Sequence, residues 1–158
     1  MKNYYRIMLG KQSAYAAECF AGGFIGADFD IDVDLTGTDI NQDSVIGLAE
    51  NWREFNKAFI PIYLQGHPEK TRVSAGLACG ALWTVAKGIR NGDVVLCPDG
   101  EGGYRIGEVT GGYQYRPGTN LPHRRPAQWG GTVARESMSD ALRNSTGSIG
   151  TVSTITHH

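Results

Sequence analysis

Two stretches of the chain concentrate side chains able to recognise a ligand. Gly107-Glu108-Val109-Thr110-Gly111-Gly112-Tyr113-Gln114-Tyr115 places two tyrosines at period two, so both rings can share one face of a strand. His123-Arg124-Arg125-Pro126-Ala127-Gln128-Trp129 sets two adjacent arginines close to a tryptophan. Arginine offers a planar fork of donors for phosphate or base edges, and aromatic rings offer stacking faces. Adjacent strand residues point to opposite faces, so only one of Arg124 and Arg125 is expected to meet a phosphate. A hairpin whose Tyr and Trp pack the core, with the Arg solvated, explains the same composition.

Other chemistries fail on spacing. Gly10-Lys11 is followed by Gln12 and has no Gly five residues upstream, so no phosphate-cradling loop is present. H-E-x-x-H and G-x-S-x-G are missing. Aspartates at 28, 30, 32 and 34 evoke a calcium loop, but the sharp turn needs Gly at its sixth position, where Val33 or Leu35 stands. His67 and His123 each sit beside a proline and read as surface histidines. Three scattered cysteines, Cys19, Cys79 and Cys97, give neither a disulfide framework nor a zinc site. No metal, cofactor or catalytic residue is expected of this chain by itself.

The elements that must position these residues follow from periodicity. The chain has 158 residues, 41% hydrophobic and 20% charged, which fits one domain with one core. No apolar run reaches the ~18 residues of a membrane span, and the start of the chain has no secretory h-region, so a cytoplasmic protein is expected. Twenty-two glycines in short clusters predict many tight turns between short strands. The net charge of −1 hides a split: seven acids and no Lys or Arg from Asp28 to Glu50, against six Arg and three acids from Arg105 to Arg143.

Strands are expected at 4–9, 24–26, 94–97, 104–109, 113–115 and 123–129, with 28–34 an alternating strand or extended edge. Ser13 is expected to cap a short helix through Phe20. A second helix should run from Asp43 or Ser44 through Ile46, Ala49, Trp52, Phe55 and Phe59 to a kink or stop at Pro61. A third should bury Val73, Leu77, Ala81, Val85 and Ile89, and a last should start at Ser137 and run through Leu142. These elements predict an α+β domain over 1–143 with a small, curled, largely antiparallel sheet, followed by a Ser/Thr/Gly-rich tail or linker over 144–158.

The order of elements carries a resemblance. Phe24-Ile25-Gly26-Ala27-Asp28-Phe29, Gly80-Ala81-Leu82-Trp83, Ile89-x-x-Gly92-Asp93-Val94-Val95 and Tyr104-x-Ile106-Gly107-Glu108-Val109 together look like the PUA-like superfamily, in its EVE-like branch. Tyr113-x-Tyr115 and Arg124-Arg125-Pro126-x-x-Trp129 are similar to the N-terminal specificity domains of Mrr-type and other modification-dependent restriction endonucleases. The resemblance covers roughly residues 4 to 130. It implies a curled antiparallel β-barrel with flanking helices that reads a modified base, above all a modified cytosine in duplex DNA, by flipping it into an aromatic pocket.

By motif position, Gly26, Asp28, Phe29, Trp83, Tyr113 and Tyr115 would line that pocket. Lys11, Arg116, Arg124 and Arg125 are the candidate phosphate contacts. A fused or associated nuclease beyond residue 158 would do the cutting in antiphage defence. A small-nucleotide sensor or protein-interaction domain regulating a fused effector is the alternative, and would bind with little salt dependence.

Overall fold

The computed structural model describes residues 3–35, 52–134 and 152–154. Strand β1 (Tyr4–Ile7) leads through Gly10, whose φ of 84° suits glycine, into a 3-10 turn over Lys11–Ser13. Helix α1 (Ala16–Gly22) begins only after Tyr15 and has no side-chain cap. Ser13, expected as that cap, sits two residues earlier with φ 62°. Gly23 ends α1 in the left-handed conformation, its N–H donating to Cys19 O at 2.9 Å. The chain then turns directly into β2 (Phe24–Ala27).

Helix α2 (Trp52–Gly66) buries Phe55 and Phe59, stacked at 4.5 Å, together with Asn56. Pro61, expected to kink or stop this helix, does not stop it and lies inside it. Pro61 and Lys57 are both exposed, so the carbonyl that loses its donor lies on the wet face. Helix α3 (Arg72–Trp83) is capped by Thr71, whose hydroxyl accepts Ser74 N–H at 3.1 Å. It widens into a π turn over Thr84–Gly88.

The apolar stripe expected on α3 is out of phase at its start. Val73 and Leu77 are 75% and 73% exposed, and the buried seam is Ala75, Cys79, Leu82, Val85 and Ala86. Steps of four residues drift around a 3.6-residue helix by about 40° each, so a long run of them cannot keep one face. Gly76 and Gly80 turn toward α2, where Asn56 donates to Gly76 O at 3.1 Å.

The remaining strands are β3 (Val94–Pro98), β4 (Gly103–Val109), β5 (Gln114–Tyr115), β6 (His123–Ala134) and β7 (Val152–Thr154). The sheet runs β2-β6-β4-β3-β1-β7, and β5 pairs with β6. Every pairing is antiparallel except β1 with β3, where Tyr4, Tyr5 and Arg6 face Val94, Val95 and Leu96. The expected antiparallel barrel is thus a curled, open half-barrel of mixed sheet in an α+β domain, with three helices among the described residues. Twelve-residue β6 makes the curl: residues 123–126 carry β2 and β5, residues 127–134 carry β4, with a register shift between Arg105 and Gly107. The core packs the three helices onto the inner face, with Ile7, Leu9, Ile25, Phe55, Phe59, Leu82, Val85, Ile89 and Val95 fully enclosed or nearly so.

Three expectations need restating. Residues 28–34 are a turn and loop, and not a strand. Val152–Thr154, inside the expected tail, pairs with β1 through Tyr5↔Thr154 and Ile7↔Val152. The helix expected from Ser137, and the part of α2 expected before Trp52, lie outside the described residues.

Candidate functional site

His123 opens β6 and is wholly buried, the opposite of a surface histidine. It stands between Tyr113 and Tyr115, before and at the end of β5, and the loop that follows β2. The Tyr113 and Tyr115 rings lie 5.8 and 5.3 Å from its imidazole, tilted 25° and 30°. Its Nε2 lies 2.5 Å from Ile31 O, and its Nδ1 lies 2.7 Å from the Tyr113 hydroxyl.

A carbonyl can only accept, so Nε2 carries the proton. Nδ1 is then the acceptor for the Tyr113 hydroxyl, which in turn accepts Leu35 N–H at 3.2 Å. The network is complete only with neutral His123. Burial pushes the imidazole pKa down, against the backbone contact and the pull of Asp28, Asp32 and Asp34.

The loop held by this network turns sharply. Phe29 and Asp30 have φ of 55° and 56°, Ile31 N–H donates to Asp28 O at 3.3 Å, and Asp28 Oδ1 accepts Asp30 N–H at 3.1 Å. Two consecutive left-handed residues within a closed turn match the primed hairpin type, in which Asp is at ease and Phe is not. The apolar anchors are therefore Ile31 and Leu35, both buried, while Val33 faces solvent. The strict alternation of aspartates did not reveal this, because a turn breaks the phase.

Burial raises the Asp28 carboxyl above its ordinary range, an effect its hydrogen bond to Asp30 N–H opposes and Asp30 and Asp32 add to. On the far flank, Asp30 Oδ2 meets His67 Nε2 at 3.1 Å, and His67 stacks on Tyr63 at 4.6 Å. The candidate site is thus two tyrosines and an imidazole rimmed by carboxylates.

The structure brings Gly26, Asp28, Phe29, Tyr113 and Tyr115 to one end of the sheet. Gly26 is there for closeness: a Cβ would stand 2.8 Å from Leu121 Cβ and 3.1 Å from Leu121 O. Trp83 belongs elsewhere, packed at the end of α3 against Gly88, where a Cβ would come within 2.8 Å of its ring. Trp129 is structural: its Nε1 donates to Cys19 O at 3.0 Å, its ring meets Phe20 edge-on at 4.7 Å, and it covers Gly107.

The four basic candidates separate. Arg125 is 4% exposed and faces inward. It donates to Gly111 O at 2.7 Å, Ile89 O at 2.6 Å, Val85 O at 3.1 Å, Ala86 O at 3.4 Å and Asn91 Oδ1 at 3.2 Å. Val85 O, Ala86 O and Ile89 O are carbonyls that a helix end leaves unpaired, so Arg125 closes the π turn and is not turned toward a phosphate. Arg124 stacks on Phe24 at 3.9 Å and donates to Leu121 O, Asn120 O and Thr119 Oγ1, which ties the loop before β6. Arg116 is exposed beside Tyr115 and donates to Gln114 Oε1 at 3.3 Å. Lys11 is exposed on the turn whose Ser13 lies against Gly100, at the other end of the β4–β6 ladder from β5.

Among the described residues no three His, Cys, Asp or Glu side chains are grouped to hold a metal ion. No described helix is long and apolar enough to cross a membrane. A domain of unknown function, DUF8426, matches residues 5–156, nearly the whole chain, and the chain belongs to that family. No curated protein and no solved structure matches it.

Proposed function

We propose that this DUF8426 domain is a nucleic-acid-binding specificity module that reads a base, with modified cytosine in duplex DNA as the target, and directs an associated endonuclease. One observation carries the reading: Asp28, Tyr113 and Tyr115 converge around His123 at the open end of the curled sheet. The Tyr115 ring supplies a stacking face, worth ~1–3 kcal/mol per base. The partly desolvated Asp28 carboxylate supplies an acceptor for the exocyclic amine of cytosine. Together they offset the few kcal/mol that extruding a nucleotide costs. Tyr113 supports the wall through its bond to His123.

With Arg125 buried and Arg124 engaged in its loop, Lys11 and Arg116 are the two of the four candidate phosphate contacts that stay exposed. Two contacts would give a salt slope near −1.8, so affinity should fall only about tenfold between 50 and 200 mM salt. Fluorescence anisotropy with matched duplexes, plain and carrying one modified cytosine, tests this at both salt concentrations. Selective binding to the modified duplex, weakened about tenfold or more by Tyr115→Ala, is expected. Equal binding to both duplexes, or to neither, would overturn it.

The carboxylate rim favours one other reading, a sensor of a small nucleotide-like ligand. Aspartates 28, 30, 32 and 34 repel a polyanion, whereas a free nucleoside brings no phosphate chain. Binding of a nucleoside with no salt dependence, and no binding of duplex, would select it.

A further inference from the structure

Residues 28–35 are bound down on both flanks although their backbone is strained. Phe29, a bulky residue, holds φ 55° and Asp30 holds φ 56°, a region non-glycine side chains seldom adopt. Such a conformation persists only where the surroundings over-determine it. Here the surroundings are Ile31 O on His123 Nε2, Leu35 N–H on the Tyr113 hydroxyl, that hydroxyl on His123 Nδ1, and Asp30 on His67.

We infer that residues 28–35 form a strap across the Tyr113–His123–Tyr115 cluster, latched by neutral His123 and released when that imidazole gains a proton. The atoms dictate the release. A protonated Nδ1 becomes a donor aimed at the Tyr113 oxygen, which already accepts Leu35 N–H. The phenolic proton, which pointed at Nδ1, must then find another acceptor, and the Leu35 anchor weakens as the hydroxyl turns.

The groups facing the imidazole set the pH range. Asp28, Asp32 and Asp34 of the strap favour the cation, while burial against it prevails. The segment 113–115 brings the phenols of Tyr113 and Tyr115, β2 brings no titratable side chain, and the Arg124 guanidinium on β6 is turned onto Phe24. A histidine whose folded pKa is lowered contributes stability above its ordinary value of 6.5 and loses it as pH falls below. On the strap's other flank His67, just past the end of α2, lies 3.1 Å from Asp30 and 3.6 Å from Glu69. Acid therefore frees the strap from Tyr113 and His123. Strain stored at Phe29 drives the same opening.

Amide hydrogen exchange on the full chain, followed by NMR, tests the latch. The protection factor of Leu35 is expected to fall at least tenfold from pH 7.5 to pH 5, while Val95 and Ile106 in the central sheet keep theirs. Tyr113→Phe, which retains the ring, should leave Leu35 poorly protected at both pH values and abolish the step. Nitrogen spectra of the His123 ring should show Nδ1 unprotonated at pH 7.5. Equal Leu35 protection at both pH values would overturn the inference. So would a loss shared by Val95 and Ile106, or a pH step that survives in Tyr113→Phe. No ligand enters the measurement, so its outcome is independent of whether the site reads a base.

Discussion

Replacing Arg125 by Met separates a structural bracket from a phosphate contact. The unbranched thioether fills much the same space, so the loss is of donors and not of volume. Gly111 O and Ile89 O, at 2.7 and 2.6 Å, lose their guanidinium partner, and Val85 O, Ala86 O and Asn91 lose longer contacts. A buried carbonyl stripped of its donor costs about 1–3 kcal/mol, and at least two are stripped here. Removing a charge that burial disfavours returns part of this, since burial already pulls the Arg125 pKa down.

The net loss should be about 3 kcal/mol, a large share of the ~5–15 kcal/mol that a domain possesses. In a chain of this length that lowers the melting temperature by roughly 6–12 °C. Arg125→Lys should lose most of the same amount, because a compact ammonium cannot span Gly111 and Ile89 together. Urea unfolding followed by tryptophan fluorescence reads both variants. A Met variant within ~1 kcal/mol of the parent, whose duplex binding also loses about 0.9 from its salt slope, would show a solvent-facing arginine on phosphate and refute the bracket.

Gly26→Ala should cost about 1–3 kcal/mol in urea denaturation, since the new methyl meets Leu121 Cβ and a backbone oxygen, and Leu121 already holds φ 52°. Thermal melts should show Thr71→Ala losing about 1 kcal/mol with its cap bond to Ser74, while Val73→Lys, on the exposed side of the same helix, stays within about 0.5 kcal/mol. All three cysteines are buried, with burial pushing Cys79 to about 11, Cys19 to about 12 and Cys97 well above its ordinary value. A disulfide reagent at pH 8 should therefore label none of them in the native chain within minutes and all three after unfolding in guanidinium.

Local periodicity made the places of α1, α2 and α3 and the β3–β4 hairpin legible, though not the cap of α1 or the buried face of α3. Phe55 and Phe59 sit four apart and do face the core. Pro98-Asp99-Gly100 marks a turn that the structure closes with Asp99 Oδ1 accepting Glu101 and Gly103 N–H. What stayed illegible depends on partners distant in the chain. Strand β7 exists through its pairing with β1, and its Ser/Thr composition reads as a tail because nothing local announces that partner. The strap reads as a strand because its aspartates alternate, and Tyr113, His123 and His67, far along the chain, hold it as a turn.

The site turns on the phase of one strand, and two adjacent arginines hide which of them that phase buries. Alternation along β6 requires Arg124 and Arg125 to part company, but composition assigns neither to the interior. The buried set is His123, Arg125 and Ala127, two ionisable residues and a methyl, while Arg124, Pro126 and Gln128 point away. Burying two such side chains is tolerable only where their donors are met in full. Arg125 meets the orphan carbonyls of the widened α3 terminus, and His123 meets Ile31 O and Tyr113. The same face that anchors α3 through Arg125 therefore anchors the strap through His123, two residues away. A β6 shifted by one residue would place Arg124 inward and lose both anchors at once. Stability of the fold and closure of the candidate site are thus set by one register, which is why Arg125→Met should also loosen Leu35.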